Sequence, residues 1–259
     1  MSRPLRIGHL YPDAMNLYGD MGNIRTLQRR CEWRAIDVQV VPLGVGDSEL
    51  HTFDLLFFGG GQDRDQARIH ADFVLHKQEA VARAIHEGVA MLAVCGGYQL
   101  LGHNYIDADG RSLDGLHLLD LHTVAGNDRW IGNVLVEADE SLHLHPKTLV
   151  GFENHGGRTK LGGDLKPLGR TIVGGGNNGD DAGEGVLAGR IIGTYMHGSL
   201  LPKNPALADW LLSQALAHRD GGAPPPLSPL DDSTEMAAHR RAEAIAMKER
   251  GRRPMRRRR

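Results

Sequence analysis

The segment MLAVCGGYQLLG, Met91 to Gly102, carries the clearest chemistry in the chain. An apolar run ends on a cysteine, two glycines follow, and a helical pattern begins. That is the make-up of a nucleophile elbow, in which small neighbours permit a strained strand-to-helix turn. The elbow sets the Cys95 sulfur at a helix N-terminus, where the positive end of the dipole favours thiolate. It also sets the N–H of Gly96 beside a carbon under attack, as an oxyanion donor. A cysteine that closes a strand is more often structural, but the flanking glycines and the turn favour a nucleophile here. Cys31, in RRCEWR, has no glycine turn and reads as structural.

A second piece is FFGGGQD, Phe57 to Asp63, directly after an apolar run. No G-x-x-x-x-G-K-[ST] pattern occurs, so phosphate cradling is not indicated. The glycines are either a plain turn or a second source of oxyanion N–H groups at the carboxyl ends of the strands. A base must be chosen among 14 histidines. His197, in RIIGTYMHG, follows a strand and precedes a glycine; His155, in GFENHGGRT, is its rival. His143 and His145 have metal-like spacing without a carboxylate or cysteine cluster, so no metal site is expected.

The elements that must hold these residues follow from apolar periodicity. Leu5–Tyr11, Val38–Leu43, Asp54–Phe58 and Ala90–Val94 read as buried strands. Ile24–Trp33 and Ala67–His86 read as helices. This alternation predicts an α/β fold with a mostly parallel central sheet flanked by helices. Beyond it, Trp130–Glu137 and Leu149–Glu153 read as strands of a glycine-rich, more antiparallel half. Gly185–Tyr195 reads as a hairpin turning at Gly189. Pro205–Ala217 closes the domain as a helix, with Leu207, Trp210, Leu211 and Leu216 as core positions.

These elements give a domain over residues 1–218. Residues 219–259, opening with GGAPPPLSP, read as a linker and a flexible, mostly disordered tail in which Ser233–Glu249 forms at most a marginal helix. The tail ends on four arginines, read first as a solvated end and second as a weak contact for anionic lipid or a partner. The 259 residues are 41% hydrophobic and 24% charged with a formal net charge of -2, which gives no general pull toward nucleic acid. Two cysteines argue against a disulfide framework and for a reducing, cytoplasmic setting. Neither a signal peptide nor an apolar run of about 18 residues is found.

Cys95-x-Gly97-x-Gln99, the GGG after an earlier strand and YMHG near the end resemble class I (triad-type) glutamine amidotransferases, of flavodoxin-like fold. The resemblance implies that Cys95 attacks the side-chain amide of L-glutamine with His197 as base and acid. It further implies that Gln99 helps hold the substrate and that Gly60 and Gly96 supply oxyanion N–H groups. Many members place a glutamate two residues after the histidine to orient it; here that residue is Ser199. Similar departures mark the cobyric-acid-synthase-like branch, and they leave a Cys–His dyad with its orienting group open.

Within that branch, YPDAMNLYGDMGNIRTL, GNDRWIGN and GFENHGGRT closely resemble the GatD-type subunits of lipid II isoglutaminyl synthases, over roughly residues 5 to 218. This implies that Arg129 holds the glutamine, for which a bidentate guanidinium–carboxylate pair is the physical basis. It also implies an ATP-dependent, Mur-ligase-like MurT partner in a heterodimer, which would amidate the D-glutamate α-carboxyl of lipid II. No Walker or kinase motif occurs, so ATP and Mg are expected on the partner and no cofactor in this chain. The alternatives are an amidotransferase for a corrinoid-like acceptor, a DJ-1-like cysteine hydrolase or peptidase, and a non-catalytic module that has kept the fold.

Overall fold

The computed structural model describes residues 3–61, 63–197 and 199–250. Gln62 of the triple-glycine loop, Gly198 after His197 and the terminal arginines lie outside them. The first half alternates as its apolar runs demand: β1 (Leu5–Leu10), α1 (Met21–Glu32), β2 (Val38–Leu43), β3 (Leu55–Phe58), α2 (Asp63–Leu75), α3 (Gln78–His86), β4 (Ala90–Val94) and the short α4 (Gly96–Leu100). Every residue of β3 and β4 is buried, as expected for strands covered on both faces. The helical pattern over Ala67–His86 is interrupted. α2 ends at Leu75, and the buried Lys77 folds back to Asp72 Oδ2 and the Gly44 carbonyl, so a new helix begins at Gln78.

The second half contributes β5 (Asn104–Ile106), β6 (Ser112–Asp114), β7 (Leu121–Ala138), β8 (Thr148–Leu161), β9 (Gly169–Val173), β10 (Gly183–Glu184), β11 (Val186–Ala188), β12 (Ile191–Thr194) and β13 (Met196–His197). Two sheets result. The first runs in the order β11-β12-β4-β3-β1-β2 and is parallel except for β11, which turns at Gly189 onto β12 as the hairpin pattern requires. The second is mainly antiparallel and built around the long β7–β8 pair. Its strands extend well beyond the short runs legible in the sequence.

α5 (Pro205–Asp220) packs Leu207, Leu211 and Leu216 into the core and ends on Gly221 at φ 69°, a left-handed position that suits glycine. Trp210 is only partly buried beside it. Residues 219–250, expected as a linker and a tail with at most a marginal helix, carry such a helix against the domain. Arg30 of α1, fully buried, donates to Asp209 and to Asp232, which fixes the chain just before α6 (Ser233–Glu249). Ala246 then packs on Leu135 and Val150, and His239 accepts or donates at Thr148 Oγ1 while bonding the Lys203 carbonyl. A helix marginal by itself is held by tertiary contacts on the back of the second sheet.

Candidate active site

The carboxyl ends of β1, β3, β4 and β12 lie side by side, because these strands are parallel neighbours. The segments that follow them therefore converge on one edge, the ligand edge of open α/β sheets. Cys95 follows β4 at φ 50° and ψ -107°. A non-glycine residue in that region costs about 1–3 kcal/mol and persists only where its surroundings impose it. Here they do. A Cβ at Gly97 would lie 2.6 Å from the Phe58 carbonyl oxygen, so the glycine lets α4 start against β3 and forces the turn onto Cys95. Cys95 is 7% exposed, a buried thiol that still reaches the cleft.

His197 arrives from the other side on β13, fully buried. Its Nδ1–H donates to Asp20 Oδ1 at 3.3 Å, and the Tyr18 ring meets it edge-on at 5.0 Å. Nε2 has no hydrogen-bond partner, and the Cys95 side chain lies near enough to the ring to act on its charge. Burial opposes charge on this imidazole, but the Cys95 sulfur and the Asp20 carboxylate outweigh it and raise its pKa to about 10. The surroundings favour the protonated form of the imidazole beside the Asp20 carboxylate.

Asp20 is the residue sequence reading missed. It sits at the N-cap of α1, where an aspartate is expected to accept from the helix's own amides, yet its side chain makes no capping bond. Its oxygens are spent instead on His197 Nδ1 and the Gly60 N–H. The bland capping role hid it; the one available signal was its place inside the YGDMGN segment. Ser199, which stands where a glutamate was expected, donates through Oγ to the Gly19 carbonyl at 2.6 Å and holds the Asp20 loop rather than the histidine.

Gly60 does not face the cleft as an oxyanion donor: its N–H donates to Asp20 Oδ2 at 2.8 Å. It must be glycine for another reason, since a Cβ there would lie 2.4 Å from His197 Cε1. Gly96 begins α4 directly after Cys95, as the elbow requires.

A cleft of about 950 Å³ opens over this edge, and Tyr18, Gln66, Cys95, Gln99, Arg129 and His155 line it. Gln99 is held from both ends: Gln66 Nε2 donates to its Oε1 at 3.1 Å, and its Nε2 donates to the Tyr195 hydroxyl at 3.0 Å. Gln66 was not anticipated. Arg129 reaches the cleft because β7 and β8 shift register between Ala125 and Trp130, and such irregularities re-aim side chains. Its guanidinium is positioned by the Asn154 side chain at 2.6 Å and the Asn154 carbonyl. His155, the rival base, stacks on the Tyr195 ring with centroids 3.7 Å apart and donates from Nδ1 to the Gly157 carbonyl. Burial lowers its pKa against the opposing pull of Glu153. It belongs to the cleft wall, and the carboxylate nearest its ring is Glu153, at 3.7 Å from Nε2.

Comparison with known proteins gives a consistent set of likenesses. A model of the CobB/CobQ-like glutamine amidotransferase domain matches residues 6–205. The chain is 40% identical over 237 residues to subunit GatD of the glutamine-hydrolyzing lipid II isoglutaminyl synthase of Staphylococcus aureus strain N315, covering 90% of this chain and 93% of that protein. It is likewise 40% identical over 220 residues to the subunit of the same description from Streptococcus pneumoniae, covering 84% of this chain and 82% of that one. Among solved structures, a glutamine amidotransferase from Thermotoga maritima superposes with a TM-score of 0.55 at 15% identity, covering 96% of this chain and 98% of that one. That likeness speaks to the fold alone.

Proposed function

Because the chain belongs to the CobB/CobQ-like glutamine amidotransferases, we propose that it is the glutamine-hydrolysing subunit of a lipid II isoglutaminyl synthase. It would release ammonia for amidation of the D-glutamate α-carboxyl of lipid II. The observation that carries the catalytic part is the buried His197–Asp20 pair, with Cys95 acting on the same imidazole and itself lining the cleft. The acceptor rests on the two GatD relatives, matched over most of their length.

In this reading Arg129 receives the α-carboxylate of L-glutamine, and Gln99, fixed by Gln66 and Tyr195, helps place the carboxamide. The Cys95 thiolate attacks the carboxamide carbon, and the Gly96 N–H stabilises the resulting oxyanion. His197 gives its Nε2 proton to the departing nitrogen; the C–N bond breaks, and ammonia and a glutamyl thioester remain. The neutral His197 then takes a proton from water, whose oxygen attacks the thioester, and glutamate leaves as the thiolate is restored. Asp20 keeps Nε2 directed at sulfur throughout.

Amide formation from a free carboxylate needs activation. The reading therefore assigns ATP and Mg to a Mur-ligase-like partner of the MurT type, with the heterodimer working in the cytoplasm. Among the described residues no helix is long and apolar enough to cross a membrane.

The test is glutamate release from L-glutamine, with and without the Mur-ligase-like subunit, for wild type and Cys95→Ala. Release that disappears in the variant supports the reading. Absence of release in both conditions overturns it, and peptide turnover without glutamine turnover would put a cysteine peptidase in its place.

A further inference from the structure

Three segments of the second sheet bring imidazoles and a carboxylate together. His103 precedes β5, His122 lies near the start of β7, and His117 and Asp120 belong to the connection between β6 and β7. One ligand atom each from His103, Asp120 and His122 lies within 4.8 Å of the other two. We propose that these three residues form a binding site for a divalent transition ion of the Zn²⁺ class, with solvent in the fourth position.

The donor set is the first argument. Two imidazoles and a carboxylate with one open position is a common zinc arrangement, and imidazole disfavours the hard ions magnesium and calcium. The second argument is support behind the ligands. His122 Nδ1 donates to Asn104 Oδ1 at 2.8 Å, and the Asn104 amide in turn points to Ser112 Oγ. That fixes the His122 tautomer and leaves the Nε2 lone pair for a metal.

His103 Nε2 faces Asp120 Oδ1 at 3.1 Å, while its Nδ1 lies 3.0 Å from His117 Nδ1. With metal on Nε2, His103 carries its proton on Nδ1 and donates it to His117. The His117 proton then sits on that residue's own Nε2, so no proton is lost or gained. The 3.1 Å separation is close to the ~3.3 Å between ligand atoms of a zinc tetrahedron with ~2.0 Å bonds.

The backbone under the site is tied down. Asn104 pairs with His122 in the parallel β5–β7 ladder, and the His103 N–H donates to the Leu121 carbonyl. The Gly115 N–H bonds the His103 carbonyl, and the His117 N–H bonds that of Gly102, which folds the connection back over β5. Gly162 leaves room for the carboxylate, since a Cβ there would lie 2.5 Å from Asp120 Oδ2. One movement is required. The His103 and His122 rings now stack at 4.6 Å with a 26° tilt, and His122 must turn out of that stack to offer Nε2 to the same ion.

The ion would pin β5 to β7. Tyr105 and Ile106 of β5 and Val124 of β7 line the cleft, so the site would stiffen its rim without joining the chemistry.

The experiment is a competition titration of the full chain with Zn²⁺ against a chromophoric chelator. It is run on wild type, Cys95→Ala, Asp120→Asn, His122→Ala and, as an exposed control, His76→Ala. The expected result is one equivalent bound by wild type, Cys95→Ala and His76→Ala, with affinity at least tenfold weaker in Asp120→Asn and His122→Ala. X-ray absorption of the loaded chain should show nitrogen and oxygen neighbours at about 2.0 Å and no sulfur. Absence of stoichiometric binding, equal binding by the Asp120 and His122 variants, or loss of the ion in Cys95→Ala would each overturn the proposal.

Discussion

Asp20 and His197, 177 residues apart, meet through a 3.3 Å Nδ1–Oδ1 contact in which both side chains are fully buried. The other Asp20 oxygen holds the Gly60 amide, so the carboxylate has one orientation. Asp20→Asn keeps the shape but removes the negative charge that favours the imidazolium. Glutaminase turnover should fall roughly 100- to 10,000-fold with KM little changed. The His197 pKa, raised to about 10 in the wild type, should drop. Its proton is held below that pH and lost above it, so the alkaline limb of the rate profile should move down in the variant. A pH profile with an unmoved alkaline limb would show that Asp20 does not act through His197.

Arg129 and its Asn154 bracket predict a binding effect. Arg129→Lys keeps the charge but loses the fork, and it should raise KM for glutamine about tenfold or more with kcat within a few-fold. Steady-state kinetics decide this. A fall in kcat at constant KM would count against carboxylate recognition.

The two faces of glycine in this chain can be separated by alanine. At Gly97 a Cβ meets the Phe58 carbonyl oxygen at 2.6 Å and backbone cannot move aside, so Gly97→Ala should cost about 1–3 kcal/mol and distort the elbow. Gly132 has open space around it, and Gly132→Ala should leave stability within about 0.5 kcal/mol. Chemical denaturation of the two variants makes the comparison.

Glu184 predicts a pH dependence of stability. Burial raises its pKa to about 7, against the Tyr195 N–H and Thr194 hydroxyl that favour the carboxylate. Below about pH 4.5 it is protonated in both folded and unfolded chains and contributes nothing. Between about 4.5 and 7 the unfolded chain ionises first, so stability falls as pH rises, by on the order of 3 kcal/mol in all. Glu184→Gln should remove that slope, which thermal melts at pH 5 and pH 8 would register as a smaller difference than in wild type.

The C-terminal helix should depend on one ion pair at its entrance. Asp232→Ala takes away one of the two carboxylates around buried Arg30 and should cost about 1–3 kcal/mol. Its first sign should be faster amide exchange over Ser233–Glu249, with the strands of the first sheet still protected. Uniform protection across both would mean that α6 is held by its other contacts.

What the sequence determined by itself is what short-range spacing can encode. Apolar runs in β1, β3 and β4 specified a parallel sheet because strands buried on both faces carry no polar alternation. The strand–cysteine–glycine–glycine order specified the elbow because strain and close approach act within a few residues. His197 was expected at a strand end for the same reason, and β13 carries it there.

Only the tertiary structure decided which residue orients His197, where the Gly60 amide points and whether α6 is ordered. Those outcomes depend on side chains brought together from distant segments. Asp20 looked like a helix cap until the sheet placed it against His197. The marginal helix expected over Ser233–Glu249 is tied at its entrance by Arg30, 202 residues from Asp232. Periodicity records which face of an element is buried; it does not record what that face meets.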